Sequence, residues 1–370
     1  MKVLAVFGTR PEAVKMAPVI KELRKFPEAF DCKVCVSAQH RAMLDPFLKL
    51  FGIVPDFDLN VMREKQSLEY ITSTVLSQMG RIIEQERPDF VLVQGDTTTS
   101  MAAALAAFYQ HVRIGHIEAG LRTHDKKQPF PEEINRRIID NMSDLYFVHT
   151  PQARENLLKE GVSLDRIELT GNTVIDALLE IISRPQEILH SSLKGIHFEA
   201  KKTILVTAHR RENIGRPLEN ICRALQIIAD KYADEVVIIY PVHLNPGVRE
   251  TVHLLLKGHK NIFCIEPLEY EAFVGMMKRS YLILTDSGGI QEEAPSLHKP
   301  VLVLREVTER PEALQTGATC LVGTDINRIV EQTCLLIEDS QAYQKMAQAI
   351  NPYGDGKASQ RIVERLLREI

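Results

Sequence analysis

Five strand-like apolar runs in this chain end in polar or charged residues. They are Phe90–Asp96, Val112–Glu118, Thr203–His209, Val236–His243 and Tyr281–Ser287. In an open parallel sheet, ligands bind at the carboxyl ends of the strands, because the loops there diverge into a crevice. One set of runs lies in each half of the chain, so the pattern predicts two sheets that face a shared cleft. This arrangement is typical of an enzyme whose site lies in the cleft.

Length and composition narrow the class of protein. A chain of 370 residues is too long for one ordinary core and fits two domains. The net charge of −4 argues against a general nucleic-acid binder. The apolar start, Met1–Gly8, runs directly into Thr9–Glu12 without a cleavage site, so we interpret it as a buried first strand and not a signal peptide. No apolar run is long enough to span a bilayer, and we expect a cytoplasmic protein without membrane or nucleic-acid partners.

The cysteine and histidine positions favour a site without metal. The six cysteines lack metal-type spacing, which fits a reducing cytoplasm. Cys32 and Cys35 have the spacing of a redox pair, but in a strand residues three apart point to opposite faces. His40, His116 and His243 do not form an i,i+4 pair. We therefore predict neither a metal nor a cofactor.

Strand and helix patterns alternate along the chain. The near-continuous Val/Ile/Leu strands predict parallel sheets covered on both faces. The pattern pauses in the polar stretch 184–202 and begins again at Thr203. The predicted fold class is α/β, with two Rossmann-like doubly wound parallel-sheet domains facing a cleft. We place the domains at residues 1–171 and 172–356, followed by a C-terminal helix at 357–370.

A basic turn follows the first predicted strand. Gly8–Ala13 lacks both the Gly-x-Gly-x-x-Gly and the Walker pattern, but it places Arg10 and Lys15 near a helix N-terminus. Backbone N–H groups and the helix dipole favour anions there. The alternative is a solvated basic turn.

A second candidate anion site lies in the other half of the chain, at Thr285–Glu293. Ser287 could cap a helix that begins around Ile290, and Gly288 and Gly289 allow backbone N–H groups to approach an oxyanion. The alternative is a plain strand-to-helix turn. Two such sites, one in each domain, predict binding of a shared diphosphate.

Three carboxylates follow consecutive elements of the first half. Asp96, Glu118 and Glu132 could converge as general acid and base, while His209 comes from the second half. Against this interpretation, a carboxylate at a strand end is often only a helix cap. Asp96 precedes three threonines and could be such a cap.

Several of these segments together resemble a known family, the bacterial non-hydrolysing UDP-N-acetylglucosamine 2-epimerases. The resemblance covers nearly the whole chain and implies the glycosyltransferase-B arrangement of domains, with the C-terminal helix packed on the first domain. The segments are Phe7–Glu12, Gln94–Thr98, Gly115–Arg122, Pro131–Arg136, Gly171–Asp176, Ala208–Glu212, Tyr240–His243, Thr285–Pro295 and Thr308–Glu312.

The resemblance implies reversible epimerisation at C2 of UDP-N-acetylglucosamine, by elimination of UDP and its re-addition to a glucal. Asp96, Glu118, Glu132 and His209 are the implied catalytic residues; which carboxylate takes the C2 proton stays open. The implied substrate-binding residues are Arg10, Lys15, Phe273, Ser287, Gly288, Gly289, Glu293 and Arg310.

The resemblance also implies a regulatory site and a biological setting. A second UDP-N-acetylglucosamine would act as allosteric activator, the protein would be a homodimer, and the product would supply surface polysaccharide. The alternative roles for the regulatory residues are cleft-wall packing and surface salt bridges. These residues are Gln39, His40, Arg41, Arg211 and His243.

Other functions remain open at this point. A hydrolysing epimerase would add water to the same intermediate and release N-acetylmannosamine and UDP. A retaining glycosyltransferase of the same architecture would need an acceptor pocket. A non-catalytic nucleotide-sugar sensor would need Arg10 and Ser287 but not three clustered carboxylates.

Overall fold

Two parallel β-sheets form the centre of the fold in a computed structural model that describes residues 1–184 and 200–370. The first unit of the chain contains Met1–Ala177 and Tyr353–Ile370, and the second contains Leu178–Pro352. Each unit holds one doubly wound sheet, so the predicted α/β class is confirmed. Most of the polar stretch predicted at 184–202 lies outside the described residues.

The first unit is built on seven parallel strands. They are β1 (Lys2–Phe7), β2 (Asp31–Val36), β3 (Phe57–Asp58), β4 (Phe90–Gln94), β5 (Arg113–Ile117), β6 (Leu145–Val148) and β7 (Ile167–Leu169). Their order is β3-β2-β1-β4-β5-β6-β7, which reverses direction between β1 and β4. Ligands of open α/β sheets bind at this switch point. Gln94 ends β4 opposite Ile117, the last residue of β5, so the segments after β4 and β5 leave the sheet side by side.

Helices cover both faces of the first sheet, which is why Val3–Phe7 of the central strand are fully buried. The helix α1 begins with Pro11 in its first turn and a capping box between Thr9 and Glu12. The helices are α1 (Arg10–Leu23), α2 (Arg41–Phe51), α3 (Leu68–Glu86), α4 (Thr98–Tyr109), α5 (Glu132–Met142), α6 (Pro151–Lys159) and α7 (Thr173–Ser183).

The second unit repeats this plan with six parallel strands in the order β10-β9-β8-β11-β12-β13. The strands are β8 (Lys202–Thr207), β9 (Val236–Pro241), β10 (Ile262–Ile265), β11 (Leu282–Thr285), β12 (Val301–Val303) and β13 (Thr319–Leu321). The helices are α8 (Arg216–Lys231), α9 (Pro246–Leu256), α10 (Tyr270–Arg279), α11 (Gly288–Glu293), α12 (Pro311–Gln315), α13 (Ile326–Glu338) and α14 (Ser340–Ala347). No helix within the described residues is long and apolar enough to cross a membrane.

The chain returns to the first unit through a tight contact and a last helix. Gly171 has a positive φ of +85°, and a Cβ there would lie 3.2 Å from the Cα of Gly354. Helix α15 (Ala358–Leu367) then packs against α1 and β7. Its first N–H groups are held by Asp176, which accepts hydrogen bonds from the amides of Ala358 (3.2 Å) and Ser359 (2.8 Å). The two units divide after residues 177 and 352; the predicted divisions were after residues 171 and 356.

We expect Asp176→Ala to lower the free energy of unfolding by roughly 1–3 kcal/mol, because two buried N–H groups of α15 lose their acceptor. Urea unfolding would measure this loss, and hydrogen exchange would locate it in α15. Ser359→Ala is the matched control, since it removes only the hydroxyl bond to Asp176 and should cost less. Wild-type stability and exchange in Asp176→Ala would show that this carboxylate does not hold the helix.

Candidate active site

Glu118 directly follows β5, in a backbone conformation that is unusual for a residue other than glycine (φ +67°). Strained backbone of this kind concentrates at functional sites. The buried carboxylate accepts hydrogen bonds from Lys15, at 2.6 and 2.7 Å to its two oxygens, from Asn172 at 3.3 Å and from Gln94. The Lys15 ammonium therefore offsets part of the cost of burying this negative charge.

Asp96 lies just beyond β4, next to Glu118. Its carboxylate pairs with the Arg136 guanidinium, whose Nε lies 3.0 Å away. Burial raises the pKa of Asp96 above its ordinary value; the positive charge of Arg136 opposes this increase and the negative charge of Glu118 adds to it. A carboxyl group whose pKa is shifted towards neutrality suits proton transfer. Thr97, not Asp96, caps α4 by accepting from the amide of Ser100 at 3.0 Å, so the helix-cap alternative for Asp96 is wrong.

Helix α5 connects the third predicted carboxylate to this edge. Glu132 is its first residue, and Arg136 follows one turn later on the same face. Asn135 donates to the backbone carbonyl of Asp96 at 2.9 Å, so α5 holds Asp96 at two points. The Oε2 atom of Glu132 is buried and has no hydrogen-bond partner among the described residues. A buried acceptor of this kind is costly unless a ligand or a proton satisfies it.

The cations predicted for the diphosphate differ in their surroundings. The exposed guanidinium of Arg10 lies 5.8 Å from the centre of the Phe47 ring, and it forms no ion pair within residues 1–184 and 200–370. Lys15, one turn further along α1, contacts Glu118 instead of pointing to open solvent. The structure thus brings Lys15 to the carboxylates, which the sequence did not predict.

A buried carboxylate organises the turn that carries Arg10. Glu12 accepts hydrogen bonds from the amides of Gly8 (3.0 Å) and Thr9 (2.8 Å). It also accepts from the hydroxyls of Thr97 (2.7 Å) and Ser100 (2.8 Å), which belong to the segment after β4. Burial raises the pKa of Glu12, against the effect of these hydrogen bonds. The two turns are therefore joined by one side chain.

The second unit contains the other turn that was predicted to bind an anion. Ser287 precedes α11, which begins earlier than predicted, and its hydroxyl makes no capping bond to the described residues; the predicted Ser287 cap is therefore wrong. A Cβ at Gly288 would lie 3.7 Å from the Arg310 guanidinium and 3.8 Å from that of Arg210. Two positive charges therefore flank the backbone of this turn, which favours an anion.

The other predicted nucleotide-binding residues lie on the neighbouring helices. Glu293, the last residue of α11, is buried and accepts a hydrogen bond from the Tyr270 hydroxyl at 3.1 Å. Arg310 pairs with Glu292. Phe273 is half-buried in α10.

His209 follows β8 and is partly exposed. Its ring stacks on that of His243, with 5.0 Å between ring centres, so a predicted catalytic residue and a predicted regulatory residue are in contact. Asp286 fixes the segment by accepting from the amides of His209 (2.7 Å) and Arg210 (2.8 Å) and from the Asn213 side chain (2.9 Å). The position of His209 therefore depends on a fully buried carboxylate at the end of β11.

The other four predicted regulatory residues differ in their exposure and in the partners that their side chains contact. Gln39 accepts from the Thr99 hydroxyl at 3.1 Å, and His40 is exposed just before α2. Arg41 forms a bidentate pair with Asp58, at 2.6 Å to each oxygen, which is the salt-bridge alternative considered above. Arg211 is exposed at the start of a 3₁₀ turn, Arg211–Asn213.

Sequence reasoning missed the side chains that hold the predicted ones. Arg136, Gln94 and Asn172 bind Asp96 or Glu118, and Asp286 binds the His209 segment. All four lie inside the segments that carry the family resemblance, and Arg136 is also spaced one helical turn from Glu132. That spacing was the available signal for Arg136.

Comparison with known proteins gives a consistent result over the full chain. A family model described as UDP-N-acetylglucosamine 2-epimerase matches residues 21–367. The UDP-N-acetylglucosamine 2-epimerase of Escherichia coli K12 is 54% identical over 371 residues, covering 99% of this chain and 98% of that protein. That of Bacillus subtilis is 52% identical over 367 residues, covering 99% and 95%.

A solved structure agrees with these relatives. The crystal structure of UDP-GlcNAc 2-epimerase from Neisseria meningitidis bound to UDP-GlcNAc has a TM-score of 0.89 and 50% identity, with all of both chains covered. The sequence resemblance is thereby confirmed. The chain belongs to the UDP-N-acetylglucosamine 2-epimerase family.

Proposed function

We propose that this protein is a non-hydrolysing epimerase that interconverts UDP-N-acetylglucosamine and UDP-N-acetylmannosamine. The observation that carries the proposal is the pair of neighbouring carboxylates, the buried Glu118 and the partly buried Asp96, each matched to its own cation. Such a pair can exchange protons with a bound sugar without leaving an uncompensated charge. Membership of the family and the bound UDP-GlcNAc of the Neisseria meningitidis relative support this substrate.

The reaction requires removal of a proton that is not acidic. The C2 hydrogen of the sugar is not next to a carbonyl, so its direct abstraction would leave a poorly stabilised carbanion. Elimination avoids this problem: a base takes the C2 proton while the C1–oxygen bond breaks and UDP departs, which leaves a 2-acetamidoglucal. Protonation of C2 on the opposite face and return of UDP to C1 then give the epimer.

The first unit supplies the acid–base groups in this proposal. Asp96, Glu118 and Glu132 transfer the protons, and the unsatisfied Oε2 of Glu132 gives a third acceptor. Lys15 stabilises the charge of Glu118 and thereby controls its basicity. Arg10 binds the diphosphate, because its guanidinium is exposed at a helix N-terminus.

The second unit supplies groups for the nucleotide. The turn Ser287–Gly289, flanked by Arg310, binds phosphate oxygens through amides and positive charge. Glu293 accepts hydrogen bonds from ribose hydroxyls, and Phe273 contributes apolar contact. His209 stabilises charge on the departing UDP, the largest single requirement of such an elimination.

Regulation and assembly extend the proposal. A second UDP-N-acetylglucosamine acts as activator through Gln39, His40, Arg41, Arg211 and His243. Arg41 can bind this second ligand only when its ion pair with Asp58 breaks. The protein works as a homodimer in the cytoplasm and supplies N-acetylmannosamine units for surface polysaccharide.

We expect purified protein given UDP-N-acetylglucosamine in deuterated water to form UDP-N-acetylmannosamine with deuterium at C2. Glu118→Gln and Asp96→Asn should each lower kcat by at least ~10²-fold, because each removes a group used in the transition state. NMR of the sugar C2 position measures both the incorporation of deuterium and the rate of turnover.

Product identity separates the competing functions. Free N-acetylmannosamine with UDP would indicate a hydrolysing enzyme, and binding without exchange would indicate a sensor. Retention of the original C2 proton through turnover would exclude the elimination.

The pH profile of Arg136→Gln should reveal the role of Asp96. Removing the guanidinium removes the positive charge that lowers the pKa of Asp96, so this pKa should rise further. If Asp96 is the base, the acidic limb of kcat/KM moves to higher pH; if it is the acid, the basic limb moves to higher pH. Arg137→Gln is the matched control, because Arg137 is the exposed neighbour on the same helix. If neither limb of the pH profile moves in Arg136→Gln, neither limb reflects the ionisation of Asp96.

Arg10→Ala should weaken UDP binding by about 10-fold, because it removes a charge-assisted contact to the diphosphate. Calorimetry with UDP measures the change. Arg24→Ala, an exposed arginine just after the other end of α1, should bind UDP as the wild type does. Equal affinities of Arg10→Ala and wild type would remove Arg10 from the diphosphate site.

A further inference from the structure

A histidine without an assigned role lies beneath the two catalytic carboxylates. His116 belongs to β5, two residues before Glu118, and its side chain is fully buried. Both ring nitrogens contact acceptors: Nε2 lies 2.7 Å from the carbonyl oxygen of Gly95, and Nδ1 lies 2.6 Å from Oδ1 of Asp140. The ring thus bridges the end of β4 to helix α5.

The acceptors determine the protonation of this ring. A carbonyl oxygen can only accept, so Nε2 carries a hydrogen. The Arg122 guanidinium lies 2.7 Å from Oδ2 of Asp140, and the amide of Gly120 donates to the same oxygen at 3.2 Å, so this side chain is surrounded by donors. Asp140 is therefore a carboxylate and also only accepts, so Nδ1 carries a hydrogen too. A ring that donates from both nitrogens is an imidazolium.

Charged groups on each neighbouring element complete the network. Arg122, in the segment after β5, lies 2.7 Å from Oδ2 of Asp140 and also pairs with Glu160 just after α6. The hydroxyl of Tyr146 on β6 donates to the backbone carbonyl of Asp140 at 2.7 Å. The buried positive charge of His116 is therefore balanced by Asp140, and that of Arg122 by Glu160.

The Gly95 peptide, which accepts a hydrogen bond from His116, lies next to both carboxylates, Glu118 and Asp96. Gly95 has a positive φ of +67°, and its amide donates to Ile117 at 2.9 Å. A Cβ at Gly95 would lie 3.5 Å from Oε2 of Glu118, so this peptide packs against that carboxylate. The next residue is Asp96. A rotation of the Gly95 peptide would change the relative positions of both groups.

One face of α5 supports the whole arrangement. Glu132, Arg136 and Asp140 are spaced by four residues, so they lie along the same face of the helix. Arg136 binds the side chain of Asp96. Asp140 binds Nδ1 of His116, and Nε2 of the same ring binds the carbonyl of Gly95, directly before Asp96. The same helix therefore fixes Asp96 through its side chain and through its backbone.

We propose that His116 is a positioning residue for the epimerisation. In its imidazolium form, the His116 ring holds the Gly95 peptide by a hydrogen bond and thereby sets the geometry of Asp96 and Glu118. The proposal rests on the proposed function above. His116 does not touch the sugar; it acts through the two carboxylates. Loss of the hydrogen bond between His116 and Gly95 should slow proton transfer and leave nucleotide binding intact.

His116→Gln and Asp140→Asn test the proposal. The glutamine amide can donate to Gly95 but cannot join it to Asp140, and Asp140→Asn removes the charge that stabilises the imidazolium. Each variant should lower kcat about 10- to 100-fold, as expected for a misplaced catalytic group, with UDP affinity within about two-fold of wild type. Deuterium entry at C2 should fall in proportion to kcat.

Tyr146→Phe is the matched control for a purely structural role. It removes hydrogen bonds to the carbonyls of Asp140 and Ser143 at the end of the same helix and leaves the His116 ring untouched. It should lower thermal stability and keep kcat. An equal loss of kcat in Tyr146→Phe, or wild-type kcat in His116→Gln, would overturn the role of His116.

Nitrogen NMR of ¹⁵N-histidine-labelled protein gives a readout independent of activity. At neutral pH both nitrogens of His116 should carry a hydrogen in the wild type, and only one should do so in Asp140→Asn. A neutral ring in the wild type would overturn the proposal even with normal kinetics. Absence of C2 exchange in the wild type would instead overturn the proposed function, so the two failures are distinguishable.

Discussion

Negative charge buried at one edge of the first sheet is the constraint on which the site depends. Taking a carboxylate out of water costs several kcal/mol unless a cation and hydrogen bonds replace the lost hydration. Glu118 meets this requirement through Lys15, and Asp96 meets it through Arg136. Glu118 makes its ion pair from a backbone conformation with a positive φ of +67°. Removing one cation would therefore disturb the charge of the other carboxylate as well as its own partner.

Both units use the same device to hold a functional segment. A buried carboxylate accepts from two successive backbone amides that follow a strand: Glu12 binds those of Gly8 and Thr9 in its own turn, and Asp286 binds those of His209 and Arg210 in the neighbouring loop. Each is almost fully buried. Backbone amides have fixed directions, so a carboxylate that binds two of them fixes the loop more tightly than a side-chain contact would. Catalytic loops in parallel sheets are long and exposed, and this bonding compensates for their lack of regular hydrogen bonding.

The sequence was sufficient for the α/β class and for the two parallel sheets, because buried parallel strands have a simple apolar pattern. It also selected Asp96 and Glu118 as candidates, since polar residues at strand ends stand out, and added Glu132, which begins α5. It could not show which cation meets which carboxylate. Lys15 lies on a helix one hundred residues before Glu118, and no periodicity connects them.

The error at Ser287 has a different origin. A serine directly before a helix usually caps it, and Ser287 does occupy the N-cap position of α11, yet its hydroxyl makes no capping bond to the described residues. Local patterns report the average behaviour of a residue type. They fail where a turn is shaped by neighbours from distant parts of the chain, as by Arg210 and Arg310 here.

Glu12 has a consequence for selectivity. One carboxylate, Glu12, holds the turn that carries Arg10 against the segment that follows Asp96. In the proposed function, with Arg10 on the diphosphate, this connection limits the distance between the phosphate and the reacting carbon. A sugar nucleotide with one phosphate fewer, or with a longer linkage, would present the wrong atom to the acid–base groups even while it remained bound.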